Sequence, residues 1–166
     1  RPKETISQAE SHFEKFRSYR KQHSGVDDAI SYGVGLTLMF CGKSGTGKTM
    51  TANAIAAKLG KKLLLVNFPL LNRHSRDKES SETMFQSIFR EAELSDAIIF
   101  FDECESLFAS RSTGGSFDAT ELLTELERFD GIVFLATNRP FDLDEAMYRR
   151  INEVFEFKAP NHLERL

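Results

Sequence analysis

Cysteine is scarce in this chain: Cys41 and Cys104 are the only two, they lie far apart, and neither sits in a CxxC pair. The four histidines, His12, His23, His74 and His162, are equally scattered, so no metal-ligand spacing is present. This usage excludes a disulfide scaffold and leads one to expect a reducing, intracellular compartment, the cytoplasm by default. Long apolar runs are missing as well. No stretch approaches the roughly 20 residues of a membrane helix, and the N-terminus lacks the apolar core of a secretory signal. Nor does one sign of charge dominate: 22 basic and 25 acidic side chains, interspersed, give a formal net charge of -3. No electrostatic footprint for nucleic acid or an anionic membrane results.

What is there suffices for one core. With 166 residues and 40% apolar content, the chain is long enough for one well-cored domain and too short for two of ordinary size. Most of the fifteen phenylalanines fall in apolar strands or at helical spacing, where core packing accounts for them. The chain opens at Arg1 and stops at Leu166 inside a charged, helix-like stretch with no evident cap, which reads as an excised fragment.

Hydrophobic spacing divides the chain into alternating elements. Over residues 4–22, Ile6, Ala9, Phe13, Phe16 and Tyr19 recur at three- and four-residue steps and predict an amphipathic helix, ended by Ser24-Gly25. With a second short helical stretch at 27–32, residues 1–33 are expected to form an N-terminal helical segment packing on a core that occupies 34–166. Residues 36–41 show no polar alternation, as in a strand buried on both faces. A helix at 48–59 stopped by Gly60 and a buried strand at 62–66 complete a βαβ unit. Further on, a helix at 81–93 with Ser81 as N-cap, a strand at 97–101, a helix at 117–129, a strand at 132–136, a short helix at 144–150 and a strand at 154–157 are predicted. Residues 68–80 and 110–116 read as loops. The pattern is α/β, with a five-stranded, mostly parallel sheet flanked by helices.

Three constellations carry chemistry. The first, Gly42-Lys43-Ser44-Gly45-Thr46-Gly47-Lys48-Thr49, fits GxxxxGK[ST] and lies between a buried strand and a helix, the P-loop setting. Its glycines let successive N–H groups face a phosphate, Lys48 supplies a full charge to the β and γ phosphates, and the Thr49 hydroxyl suits magnesium. Met50, directly after the loop, is counted with the nucleotide-binding residues. The second is Ile98-Ile99-Phe100-Phe101-Asp102-Glu103, an apolar strand ending in two carboxylates. Acids there point into the crevice where open α/β sheets bind ligands: Asp102 would hold magnesium and Glu103 would orient and partly deprotonate an attacking water. The third is Leu135-Ala136-Thr137-Asn138-Arg139-Pro140, where the Asn138 amide can bond the same water or the γ-phosphate. Cys104, with no base beside it in sequence, reads as a small packing residue rather than a nucleophile.

Taken in order, these motifs and Leu143-Asp144-Glu145-Ala146-Met147-Tyr148-Arg149-Arg150 resemble the AAA ATPases in the narrower sense: Walker A, Walker B, sensor 1 and the second region of homology. The resemblance covers residues 36–166. It implies a P-loop NTPase fold, ATP and magnesium as cofactors, and a ring, usually a hexamer, whose sites are completed by a neighbouring subunit. Such machines usually remodel or unfold other proteins; the client is not legible here. Lys43 and Ser44 replace two prolines usual in the family's Walker A, without touching the phosphate-facing residues. Asp77-Lys78-Glu79 stands where the family's pore loop carries an aromatic, an aliphatic residue and glycine, which speaks against polypeptide threading; Phe68, before Pro69, is an alternative substrate contact or a strand-end anchor. Arg150 matches the first of the family's two trans-acting arginines, with Arg149 as alternative, while the second falls on Glu153. The family's helical lid, with its further sensing arginine, would begin where this chain ends. ATP hydrolysis is the leading expectation. A nucleotide-gated assembly module with slow or no hydrolysis is the runner-up, and a DNA-associated loader is disfavoured by the even charge balance.

Overall fold

The computed structural model describes residues 35–74, 83–106, 119–139 and 145–159. The helices expected at 4–22 and 27–32, the loop at 110–116 and Asp77-Lys78-Glu79 lie outside them. Five strands, β1 (Leu36–Cys41), β2 (Lys62–Asn67), β3 (Ala97–Asp102), β4 (Ile132–Thr137) and β5 (Glu153–Glu156), form one sheet in the order β2-β3-β4-β1-β5. Every pairing is parallel. Parallel neighbours need crossovers. Helix α1 (Lys48–Lys58) lies between β1 and β2, α2 (Phe68–His74) and α3 (Met84–Ser95) between β2 and β3, α4 (Ala119–Arg128) between β3 and β4, and α5 (Glu145–Tyr148) between β4 and β5. This is the expected α/β P-loop architecture.

The unbroken apolar strands exist because both faces of the sheet are covered. Leu36, Leu38 and Phe40 join Ile98, Phe100, Ile132 and Phe134 beneath Ala52, Ile55 and Ala56 of α1. Met39 and Cys41 join Ile99, Phe101, Val133 and Leu135 on the other face, beneath Phe85 and Phe89 of α3 and Leu122 and Leu126 of α4. Phenylalanines knit each layer: Phe40 stacks on Phe134 at 4.9 Å between centroids, and Phe89 meets Phe129 edge-on at 5.1 Å. Each fully buried ring stabilises the fold by about 1.5–3 kcal/mol relative to exposure.

Three sequence expectations need correction. Residues 68–74, expected to be part of a loop, form α2. The Asn67 side chain accepts the Leu70 N–H at 3.4 Å and Pro69 occupies the first turn, so the proline after which the segment reads as a loop here belongs to a helix start. Helix α3 begins at Met84 rather than at 81, because Thr83 forms a capping box: its hydroxyl accepts the Gln86 N–H at 3.2 Å and its own N–H donates to Gln86 Oε1 at 3.0 Å. Strand β2, expected to be buried, is a sheet edge on which Leu65 is 57% exposed. An apolar run alone does not distinguish centre from edge.

The register sets the site. Cys41 pairs with Thr137, and Phe101, one residue before Asp102, pairs with Leu135, two residues before Thr137. Strands β1, β3 and β4 therefore deliver their carboxyl ends to one rim of the sheet.

Candidate functional site

At that rim the chain leaves β1 through Gly42, whose N–H donates to the Thr137 carbonyl at 3.1 Å. No larger residue fits here: a Cβ on Gly42 would stand 2.4 Å from the Phe157 carbonyl oxygen. Gly47, at φ 92°, is the N-cap of α1 and gives it no side-chain cap, so the first N–H groups of the helix are left for an anion. The loop is closed on its own lysine. Lys48 Nζ donates to the carbonyls of Gly42 (2.6 Å) and Lys43 (2.8 Å), and Thr46 Oγ1 donates to the Lys43 carbonyl at 2.7 Å. Burial pulls the Lys48 ammonium below the ordinary lysine range, opposed chiefly by the carboxylates of Asp102 and Glu105.

The second wall is a turn at the end of β3. Asp102 Oδ1 accepts the Glu103 N–H at 2.9 Å, and Glu103 itself takes the left-handed backbone at φ 55°. This reversal sends the Glu103 side chain outward while Cys104 turns in and is buried. The Cys104 N–H donates to the Ala136 carbonyl at 3.0 Å and its thiol donates to the Phe101 carbonyl at 3.3 Å. Burial pushes its thiol well above the usual cysteine range, and pushes that of Cys41 up to about 11. Both are packing residues, as Cys104 was expected to be, not nucleophiles. At the next residue, Glu105 Oε2 accepts the Thr137 hydroxyl at 3.0 Å.

Together these elements enclose a cleft of about 380 Å³. It brings together Ser44, Gly45, Gly47, Lys48, Thr49 and Met50 from the loop and α1, Asp102 and Glu103 from the β3 turn, and Asn138 beyond β4. Gly42, Lys43 and Thr46 shape the loop without lining the cleft. Met50 stands 70% exposed at its mouth. Arg150 lies elsewhere, in an ion pair with Glu127 of α4. Phe68, one candidate for a substrate contact, is fully buried and stacks on Phe101 at 5.2 Å, so it is the strand-end anchor. Three lining residues, Glu105, Ala136 and Thr137, were not among the site residues singled out from the sequence. The signal was present: Glu105 is a third acid within one turn of Asp102, and Thr137 ends the strand that carries Asn138.

A glycine loop joining a parallel strand to a helix, beside a pair of acids at a neighbouring strand end, defines the class of P-loop nucleotide-binding domains. The model of the family described as "ATPase family associated with various cellular activities (AAA)" matches residues 38–159, and the chain belongs to this family. It is 37% identical over 139 residues to a 26S proteasome regulatory subunit homolog of Methanocaldococcus jannaschii, covering 78% of this chain and 37% of that relative. The solved FIGL-1 AAA domain in complex with ADP is 28% identical with a TM-score of 0.60, over 78% of this chain and 45% of the other. A katanin structure described in terms of self-assembly is 29% identical with a TM-score of 0.61, over 78% and 42% of the two chains. This chain thus spans less than half the length of each. No helix among the described residues is long and apolar enough to cross a membrane.

Proposed function

We propose that this chain binds ATP with magnesium in the cleft and hydrolyses it, within a ring, a hexamer in its simplest form, that remodels a protein client in the cytoplasm. One observation carries the reading: Lys48 and Thr49, Asp102 and Glu103, and Asn138, from three separate segments, face a single cleft. The ADP complex of the FIGL-1 AAA domain supports nucleotide binding by this architecture, and katanin self-assembly supports an oligomer. Residues 1–33 are proposed to pack on this core as a helical segment.

The residues suit the cofactors. A hydroxyl and one carboxylate, from Thr49 and Asp102, match the few protein ligands magnesium takes beside phosphate oxygens and water. A cation held there would supply positive charge to neutralise the phosphate oxygens. Loop N–H groups and Lys48, released from the Gly42 and Lys43 carbonyls, would hold the phosphates. Glu103, exposed on its turn, accepts a proton from a water that Asn138 helps orient for in-line attack. Arg150 of a neighbouring subunit stabilises the developing charge, a reading supported by its position outside its own cleft.

Lys48→Ala should abolish the rise in melting temperature on adding nucleotide; a shift as large as the parent's would sink the phosphate-loop assignment. Glu103→Gln should keep that shift while turnover falls by at least about tenfold, and unchanged turnover would remove Glu103 as the base. A second reading, a nucleotide-gated assembly module that hardly hydrolyses, draws support from the engagement of Arg150 with Glu127 in its own chain. Steady-state turnover at high protein concentration separates the two.

A further inference from the structure

We infer that Glu105 and Thr137 form a positioning pair that fixes the backbone carrying Asn138 opposite Glu103; its catalytic consequence, though not its structural content, rests on the hydrolysis proposed above. Thr137 is 2% exposed and joins three segments. Its carbonyl accepts the Gly42 N–H at 3.1 Å, at the entrance to the phosphate loop. Its hydroxyl donates to Glu105 Oε2 at 3.0 Å and accepts the Arg139 N–H at 3.0 Å.

That last bond runs from residue i to residue i+2 and so spans Asn138, holding it in a side-chain-closed turn. A threonine hydroxyl has one proton and two lone pairs. By taking the proton, Glu105 turns the hydroxyl so that a lone pair faces the Arg139 N–H. Glu105 is in turn held by the acid turn, through Cys104 N–H on the Ala136 carbonyl (3.0 Å) and Ser106 N–H on the Glu103 carbonyl (3.0 Å). The backbone of Glu103 and that of Asn138 are thereby parts of one bonded frame. Glu105 faces the cleft, but the carboxylate oxygen that meets Thr137 is committed to the frame, which makes it a positioning residue rather than a second base.

The test begins without nucleotide. Glu105→Ala and Thr137→Val should each speed amide exchange at Arg139 by at least about tenfold, whereas Glu105→Gln and Thr137→Ser, which keep an acceptor and a hydroxyl, should stay within about threefold of the parent. With ATP, the two disruptive variants should lose about tenfold in kcat with KM changed less than about threefold, and the double variant should be no worse than either single one. Parent-like exchange at Arg139 in Glu105→Ala overturns the pair whether or not ATP is hydrolysed. Additive losses in the double variant, or a loss in Glu105→Gln as deep as in Glu105→Ala, would show the carboxylate acting independently of Thr137 and also overturn it. A parent without turnover, but with the expected exchange pattern, removes the hydrolysis reading and leaves the pair standing.

Discussion

Glu103 occupies the left-handed backbone region at φ 55°, a conformation that costs a non-glycine residue roughly 1–2 kcal/mol. The cost is tolerated because the left-handed residue lets one chain expose a carboxylate and bury the next side chain in consecutive positions. Glu103→Gly should therefore stabilise the fold by up to about 1 kcal/mol in chemical denaturation while ATP turnover is lost, and a destabilised variant would show that the backbone there is unstrained. The thiols make the opposite case, of residues next to the chemistry but outside it. With the Cys41 thiol pushed up to about 11, only roughly one in a thousand is ionised at pH 8, and Cys104 is fully buried. Neither should be alkylated in the native protein at pH 8, and both should react on unfolding; rapid native labelling would contradict the packing described.

At the scale of elements, what was legible from sequence is what is local. The phosphate loop announces itself because its glycines, lysine and threonine are contiguous and lie between a strand and a helix that each carry their own hydrophobic period. The acid pair is legible for the same reason. Helix α2 was not, since Asn67, Phe68 and Pro69 form a helix start whose value depends on where Phe68 is buried, and that burial comes from Phe85 and Phe101, far along the chain. The edge position of β2 was likewise hidden, because strand order is set by crossovers rather than by the strand's composition. Phe68 tests this dependence. Phe68→Ala should cost about 3–5 kcal/mol of unfolding free energy, far more than the loss of a loop side chain, whereas a cost under about 1 kcal/mol would mean α2 is not anchored through that ring.

For the whole molecule the decisive question is whether a cleft is complete within one chain. Arg150 sits outside its own cleft and pairs with Glu127, both partly exposed. An exposed pair of this kind is worth at most about 1 kcal/mol, so a neighbour's phosphate can displace Glu127 without disturbing α4 or α5. If the arginine acts in trans, Lys48→Ala and Arg150→Ala are complementary defects. One variant lacks the phosphate lysine and still carries an intact arginine, and the other lacks the arginine and keeps an intact cleft. Each should be inactive alone, and mixing them should restore turnover wherever a Lys48→Ala subunit presents Arg150 to an Arg150→Ala cleft, rising with total protein concentration as assembly proceeds. A mixture as inactive as its components, at concentrations where mixed oligomers are seen by light scattering, would mean that Arg150 serves its own chain, as the Glu127 pair already has it do.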